Sequence, residues 1–141
     1  MLNKFAMAAT LVASLVGVAH AQQTTTSTGT VTVQGQVLNM LPADSTTVTN
    51  YYKQNVYDPS DAKIGEITDV LVGKDGKVEA FIVSVGGFLG VGEKDVAVPF
   101  SAVHGTEKNG KWYLTMNSTK DALKAAHGYK YDRAKSTWVP A

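Results

Sequence analysis

A small, mostly β domain, folded as a compact barrel of short strands with one short C-terminal helix, is what this sequence predicts. Three observations carry that reading. Short apolar runs of period two recur at regular spacing between residues 55 and 116, the pattern of half-buried strands. Turn signals separate them: Asp58-Pro59-Ser60-Asp61, Asp75-Gly76 and Asn109-Gly110. One stretch of good helix formers follows, at residues 120–126. A barrel is the expected arrangement because closure removes the sheet edges.

The chain opens with a segment that reads as an address. Residues 1–21 have the form of a secretory signal peptide: Lys4, an apolar run, then Ala19-His20-Ala21 as a small-x-small cleavage site ending at Ala21. The run is short for a hydrocarbon core of roughly 30 Å, and Gln22-Gln23 and a Thr run follow it at once. The expectation is an exported, periplasmic chain with no membrane span left after cleavage. Residues 22–49 form a Thr-rich linker whose polar start cannot bury enough apolar surface to offset its ordering entropy. Inside it, Thr30-Val31-Thr32-Val33 and the residues up to Val37 alternate with period two, as a short edge strand or an extended linker.

Residues 50–116 hold the barrel. Asn55-Val56-Tyr57 leads into the Asp58-Pro59 turn, and a β-rich run from Ile64 to Val72 ends at Lys74-Asp75-Gly76-Lys77, read as a tight hairpin. From Ala80 on, the next strand is apolar on both faces, Ile82 on one and Phe81, Val83 and Val85 on the other. That makes it central and covered on both sides. Val96, Val98 and Phe100 share one face of a further strand, and Pro99 ends it or places it at an edge. Trp112, Leu114 and Met116 alternate with Lys111, Tyr113 and Thr115 after the Asn109-Gly110 turn. Residues 117–141 supply the helix and an aromatic tail expected to pack on the barrel. Ser118 is the expected N-cap with Asp121 three residues on, and Gly128 the expected left-handed C-cap.

Composition narrows the chemistry. The chain has 141 residues, 44% hydrophobic and 18% charged, with 13 Lys and Arg against 12 Asp and Glu. No basic excess favours nucleic acid. With no cysteine, disulfide scaffolds, thiol catalysis and Cys-based zinc sites are excluded. Gly87 and Gly92 have P-loop spacing, but Glu93 and Lys94 stand where Lys and Ser or Thr belong, and the loop runs into a strand. His104 and His127 are too far apart in sequence to form a paired ligand motif. Ser101 lacks the flanking glycines of a nucleophile elbow. The carboxylates Asp58, Asp61, Glu66, Asp69 and Asp75 lack EF-hand spacing and read as solvated or turn-forming. Tyr51, Tyr52, Tyr57, Trp112, Tyr113, Tyr129 and Tyr131 read as core and rim packing, since no basic stripe accompanies them. The unusual feature is the loop Gly86-Gly87-Phe88-Leu89-Gly90-Val91-Gly92. Its four glycines, Gly86, Gly87, Gly90 and Gly92, permit a tight turn. Its three apolar side chains either tuck under the barrel or contact a partner.

The segment from Asn55 to Val103 resembles the PRC-barrel family. The resemblance lies in Val56-Tyr57-Asp58, Lys63-Ile64-Gly65-Glu66-Ile67, Asp69-Val70-Leu71-Val72 and Asp75-Gly76-Lys77-Val78. It continues through Phe81-Ile82-Val83, Gly86-Gly87-Phe88-Leu89-Gly90 and Val96-Ala97-Val98-Pro99. Similar domains occur in the cytoplasmic part of the photosynthetic reaction-centre H subunit and at the C-terminus of a ribosome maturation factor. The resemblance implies a small β-barrel of about six strands, no catalytic constellation, and a protein–protein or assembly role; no cofactor is expected. The expected function is therefore a non-enzymatic exported module that binds a protein partner, itself or an envelope component. Phe88, Leu89 and Val91 are the expected contact, and an exposed sheet edge is the second candidate. The alternative is a small-ligand or metal-ion binder using the barrel mouth.

Overall fold

The computed structural model describes residues 33–87 and 92–141; the expected leader, the cleavage site expected at Ala21 and the start of the expected linker lie outside the described residues. The chain divides into two compact units, residues 1–43 and 44–141. In the first, β1 (Val33–Gln34) pairs antiparallel with β2 (Val37–Leu38), turning at Gly35 with φ +70°. The period-two alternation thus forms a minimal hairpin here.

The second unit is built on one sheet. Its strands are β3 (Asn55–Tyr57), β4 (Lys63–Val72), β5 (Val78–Val85), β6 (Lys94–Pro99), β7 (Val103–Lys108), β8 (Lys111–Met116), β9 (Tyr129–Asp132) and β10 (Thr137–Pro140). The hydrogen-bonded order is β10-β9-β6-β5-β4-β3-β8-β7. Neighbours are antiparallel except β3 and β8, which run parallel with Val56 beside Leu114. This ladder is open, with β10 and β7 as its ends, where a closed barrel of about six strands was expected. Strands β3 to β8 all contribute to a single core containing Val56, Ile64, Ile67, Phe81, Val83, Val96, Val98, Val103 and Leu114. A 3₁₀ turn over Phe100–Ala102 carries the chain from β6 to β7, and the Val103 N–H donates to the Phe100 carbonyl. That bond occupies a donor that a neighbouring strand would need.

Packing on this sheet follows the alternation. Phe81, Val83 and Val85 of β5 face the core, and Ile82, equally buried, faces the other side. A bulge at Thr68 shifts the β4–β5 register between Ile67 and Asp69, which returns Val70 to the core side. Tyr51 stacks on Phe81 with ring centroids 5.0 Å apart, and Phe100 and Trp112 complete the aromatic cluster. The outer face meets the C-terminal hairpin. Trp138 of β10 donates its Nε1 proton to Asp69 Oδ2 at 2.7 Å, and Asp69 sits opposite Ile82 in the ladder.

Three local expectations change. The Asp75-Gly76 pair sits inside a five-residue connection from Gly73 to Lys77, closed by bonds from Gly73 N to Lys77 O and from Gly76 N to Gly73 O. Only Gly76 takes positive φ there, so the two-residue mirror turn is absent. Asn109-Gly110 does form that turn, with φ +55° and +73°. Helix α1 spans Lys120–Ala125 and is capped by Thr119, whose Oγ1 accepts from Ala122 N at 3.1 Å. Ser118 lies one residue too early for that reach. At the other end Ala126 is extended, and Gly128 has no left-handed backbone. Gly128 instead fits close against Lys94, whose Cε lies 3.1 Å from where a Cβ would stand. Leu123 anchors the helix to the core.

Candidate interaction surface

The Gly-rich loop leaves the end of β5. Gly86, Gly87 and Gly92 hold φ of +80°, +79° and +75°, a backbone that L side chains rarely adopt. Phe88, Leu89, Gly90 and Val91 lie outside the described residues. Beside Gly86 and Gly87 runs a polar groove of about 490 Å³, lined also by Lys53, Lys63, Glu66, Ser84, Glu93 and Lys120. Its charges are mixed. Lys63 Nζ lies 3.9 Å from Glu66 Oε2, and Ser84 Oγ donates to Glu93 Oε2 at 3.1 Å. Burial and then the Glu93 charge push the Asp95 carboxyl above its ordinary range. Glu66 and Asp95 flank Ser84 in the ladder on either side, so the carboxylates gather at one end of the sheet. No group of three or more metal-ligating side chains occurs among the described residues. A second hollow, of about 80 Å³, opens among Val48, Tyr51, Val70, Val78, Phe81 and Phe100.

Another cluster sits on β3, β8 and the 58–62 turn. Asp58 Oδ1 accepts from Ser60 N, Ser60 Oγ and Ala62 N, at 2.8, 2.7 and 3.0 Å. These bonds hold the Asp58 carboxyl below its usual value. The turn presents Asp61, at φ +65°, to Tyr113, whose hydroxyl donates to Asp61 Oδ1 at 2.8 Å. Lys108 Nζ lies 3.5 Å from Asp61 Oδ2 and 4.7 Å from the centre of the Tyr113 ring. Tyr57 stacks on Tyr113 at 4.6 Å and 13°. The Tyr113 bond and then Lys108 lower the Asp61 pKa. Desolvation, followed by the Asp61 bond, raises Tyr113 to about 12. From the sequence, Asp61 reads as a turn residue and Tyr113 as core or rim packing. The pairing joins residues 52 apart, and only the parallel β3–β8 register brings them together.

The third element is the free edge of β7. In a two-residue hairpin the flanking residues, here Lys108 and Lys111, exchange hydrogen bonds, and bonded pairs then alternate. The register pairs His104 with Thr115 and Thr106 with Tyr113. His104, Thr106 and Lys108 therefore bond to β8, and Val103, Gly105 and Glu107 point their N–H and C=O outward. Gly105 is required where it is. A Cβ there would lie 2.6 Å from Trp112 Cε2, because the indole covers that position. Trp112 Nε1 is buried without a hydrogen-bond partner. Of the two histidines, His104 lies exposed on β7 and His127 exposed beyond α1, with no shared site. Ser101 is exposed in the 3₁₀ turn.

A mostly antiparallel, open sheet around one small core, with one short helix packed on it, defines a small, mostly β domain. The PRC-barrel domain model matches residues 44–123, more than half of the chain, and the chain belongs to that family. The match begins at the second compact unit and ends at Leu123, the core residue of α1. No curated protein matches the chain.

Proposed function

We propose that this PRC-barrel protein is a non-enzymatic, exported module that binds another protein or an envelope component. The observation that carries the reading is the open sheet, whose β7 edge leaves the outward backbone groups of Gly105 and Glu107 without a strand neighbour. Strand edges are a common means of recognition, since main-chain bonds give affinity and neighbouring side chains give selectivity. The Gly-rich loop adds Phe88, Leu89 and Val91, three apolar side chains within four residues. Affinity capture with residues 22–141 from an envelope extract tests the reading. A bound protein that the folded Phe88→Ser, Leu89→Ser variant loses places the contact on the loop. Retention by that variant moves it to the sheet edge. No capture by either protein overturns heterotypic binding.

The polar groove favours a second reading, a small-ligand site. Lys53, Lys63 and Lys120 line it together with Glu66 and Glu93, in a volume of about 490 Å³, a setting for a zwitterionic or anionic molecule. A ligand that binds only the folded chain raises its melting temperature. A thermal-shift screen of small acids, amino acids and divalent cations with no shift above buffer removes this reading.

A further inference from the structure

We propose that the free edge of β7 pairs with the same edge of a second copy, antiparallel and centred on Gly105. The inference rests on the interaction reading above and names the surface and the partner. The alternation of bonded pairs directs three residues outward, Val103, Gly105 and Glu107. Centring on Gly105 sets Gly105 against its equivalent and Glu107 against the partner's Val103, so the whole outward set is matched within the strand. The Val103 N–H is already given to Phe100. Four bonds remain: two between the Gly105 residues, and one from each Glu107 N–H to the opposite Val103 carbonyl.

Other registers match less well. Centring on Gly105 places His104 beside the partner's Thr106 and brings no like charges together. A shift to Thr106 sets Val103 against the partner's Asn109, which lies in the turn beyond the strand. A shift to Glu107 sets the two Glu107 carboxylates against each other, and facing like charges destabilise a pair. The arrangement is a closed two-fold, in which each edge meets its own copy. The axis is perpendicular to the sheet, so both core faces lie on one side. Trp112 lies over Gly105 in each copy, and the two indoles come alongside at the junction. Exposure supports access: His104, Thr106, Glu107 and Lys108 are all exposed. A six-residue edge buries much less than the roughly 1,200–2,000 Å² of a stable interface, so the dimer is weak and forms as concentration rises.

The test uses residues 22–141 in sedimentation equilibrium over a wide concentration range, with amide hydrogen exchange on the same samples. The expected result is a monomer–dimer equilibrium in which the Gly105 and Glu107 amides gain protection with concentration. The His104, Thr106 and Lys108 amides, tied to β8, are protected throughout. Glu107→Pro removes an outward donor and leaves the β7–β8 ladder whole. It raises the dissociation constant about tenfold or more, since two bonds per dimer are lost, with the melting temperature retained. Thr106→Pro, one residue away, breaks a ladder bond and lowers the melting temperature. A monomer at every concentration overturns the proposal, as does a dimer in which the wild-type Gly105 and Glu107 amides stay unprotected. A monomeric chain that still captures another protein leaves the broader interaction reading standing. A chain that does neither overturns both.

Discussion

Tyr113 and Asp61 make a pH-dependent clamp between the 58–62 turn and the β7–β8 hairpin. The Tyr113 pKa rises from 10.0 to about 12, so the folded state holds its proton more tightly than the unfolded chain. Its contribution is whole below pH 10 and is lost as pH rises through 12. Asp61 shifts the other way, downward from 3.8. Its contribution is whole above that value and is lost as pH falls through the lowered one. Tyr113→Phe is expected to flatten the alkaline limb of a stability–pH profile, and Asp61→Asn the acid limb, as chemical denaturation across pH will show. Gly105→Ala tests a close approach: the added methyl meets the Trp112 indole and is expected to cost about 1–3 kcal/mol. At this scale the sequence was only partly legible. It marked Asp58 and Asp61 as turn formers, and Asp58 does bond the backbone of Ser60 and Ala62. It did not mark Tyr113 as the partner of Asp61, because no local pattern encodes a contact made through parallel pairing.

Among the elements, β5 shows how far alternation can be read. Apolar residues on both faces from Ala80 implied a strand covered twice, and Phe81 and Ile82 are both fully buried on opposite sides. Phe81 stacks on Tyr51 and touches Phe100, so Phe81→Ala is expected to cost about 3–5 kcal/mol in a urea titration. The bulge at Thr68 was not legible, since an inserted residue leaves strand composition unchanged. The N-cap lies one residue after Ser118, and no left-handed cap forms at Gly128. Two adjacent hydroxyl residues, Ser118 and Thr119, both suit an N-cap, and only the backbone direction chooses between them. Thr119→Ala is expected to cost about 1 kcal/mol, and Ser118→Ala close to nothing, by the same titration.

Across residues 44–141, core side chains and the C-terminal hairpin hold together a sheet whose ladder is open. Val103, Trp112 and Phe100 fill the corner where β7 leaves β6. Strands β9 and β10 extend the sheet past β6 through the pairing of Asp95 with Tyr129, and Trp138 ties them to Asp69. Trp138→Phe removes a hydrogen bond to a carboxylate, expected to contribute about 1.5–3 kcal/mol. Faster amide exchange over residues 129–140 than in the parent chain is the expected readout. Mostly β content followed from strand spacing and turn residues. The open order did not, because pairing between distant strands depends on register and not on composition.

The parallel pair of β3 and β8 also governs the order of assembly. Val56 and Leu114 are adjacent in space and far apart along the chain, and contacts of that separation form late because a long loop must close first. Strands β4, β5 and β6 are sequential antiparallel neighbours and can meet by short connections. The core residues of β3 must wait for β8 before they are covered on both sides. Until β8 docks, the three-strand meander of β4, β5 and β6 therefore keeps an unsealed apolar face. Truncation before β8 is expected to leave that meander unable to complete a core, however well its own strands pair.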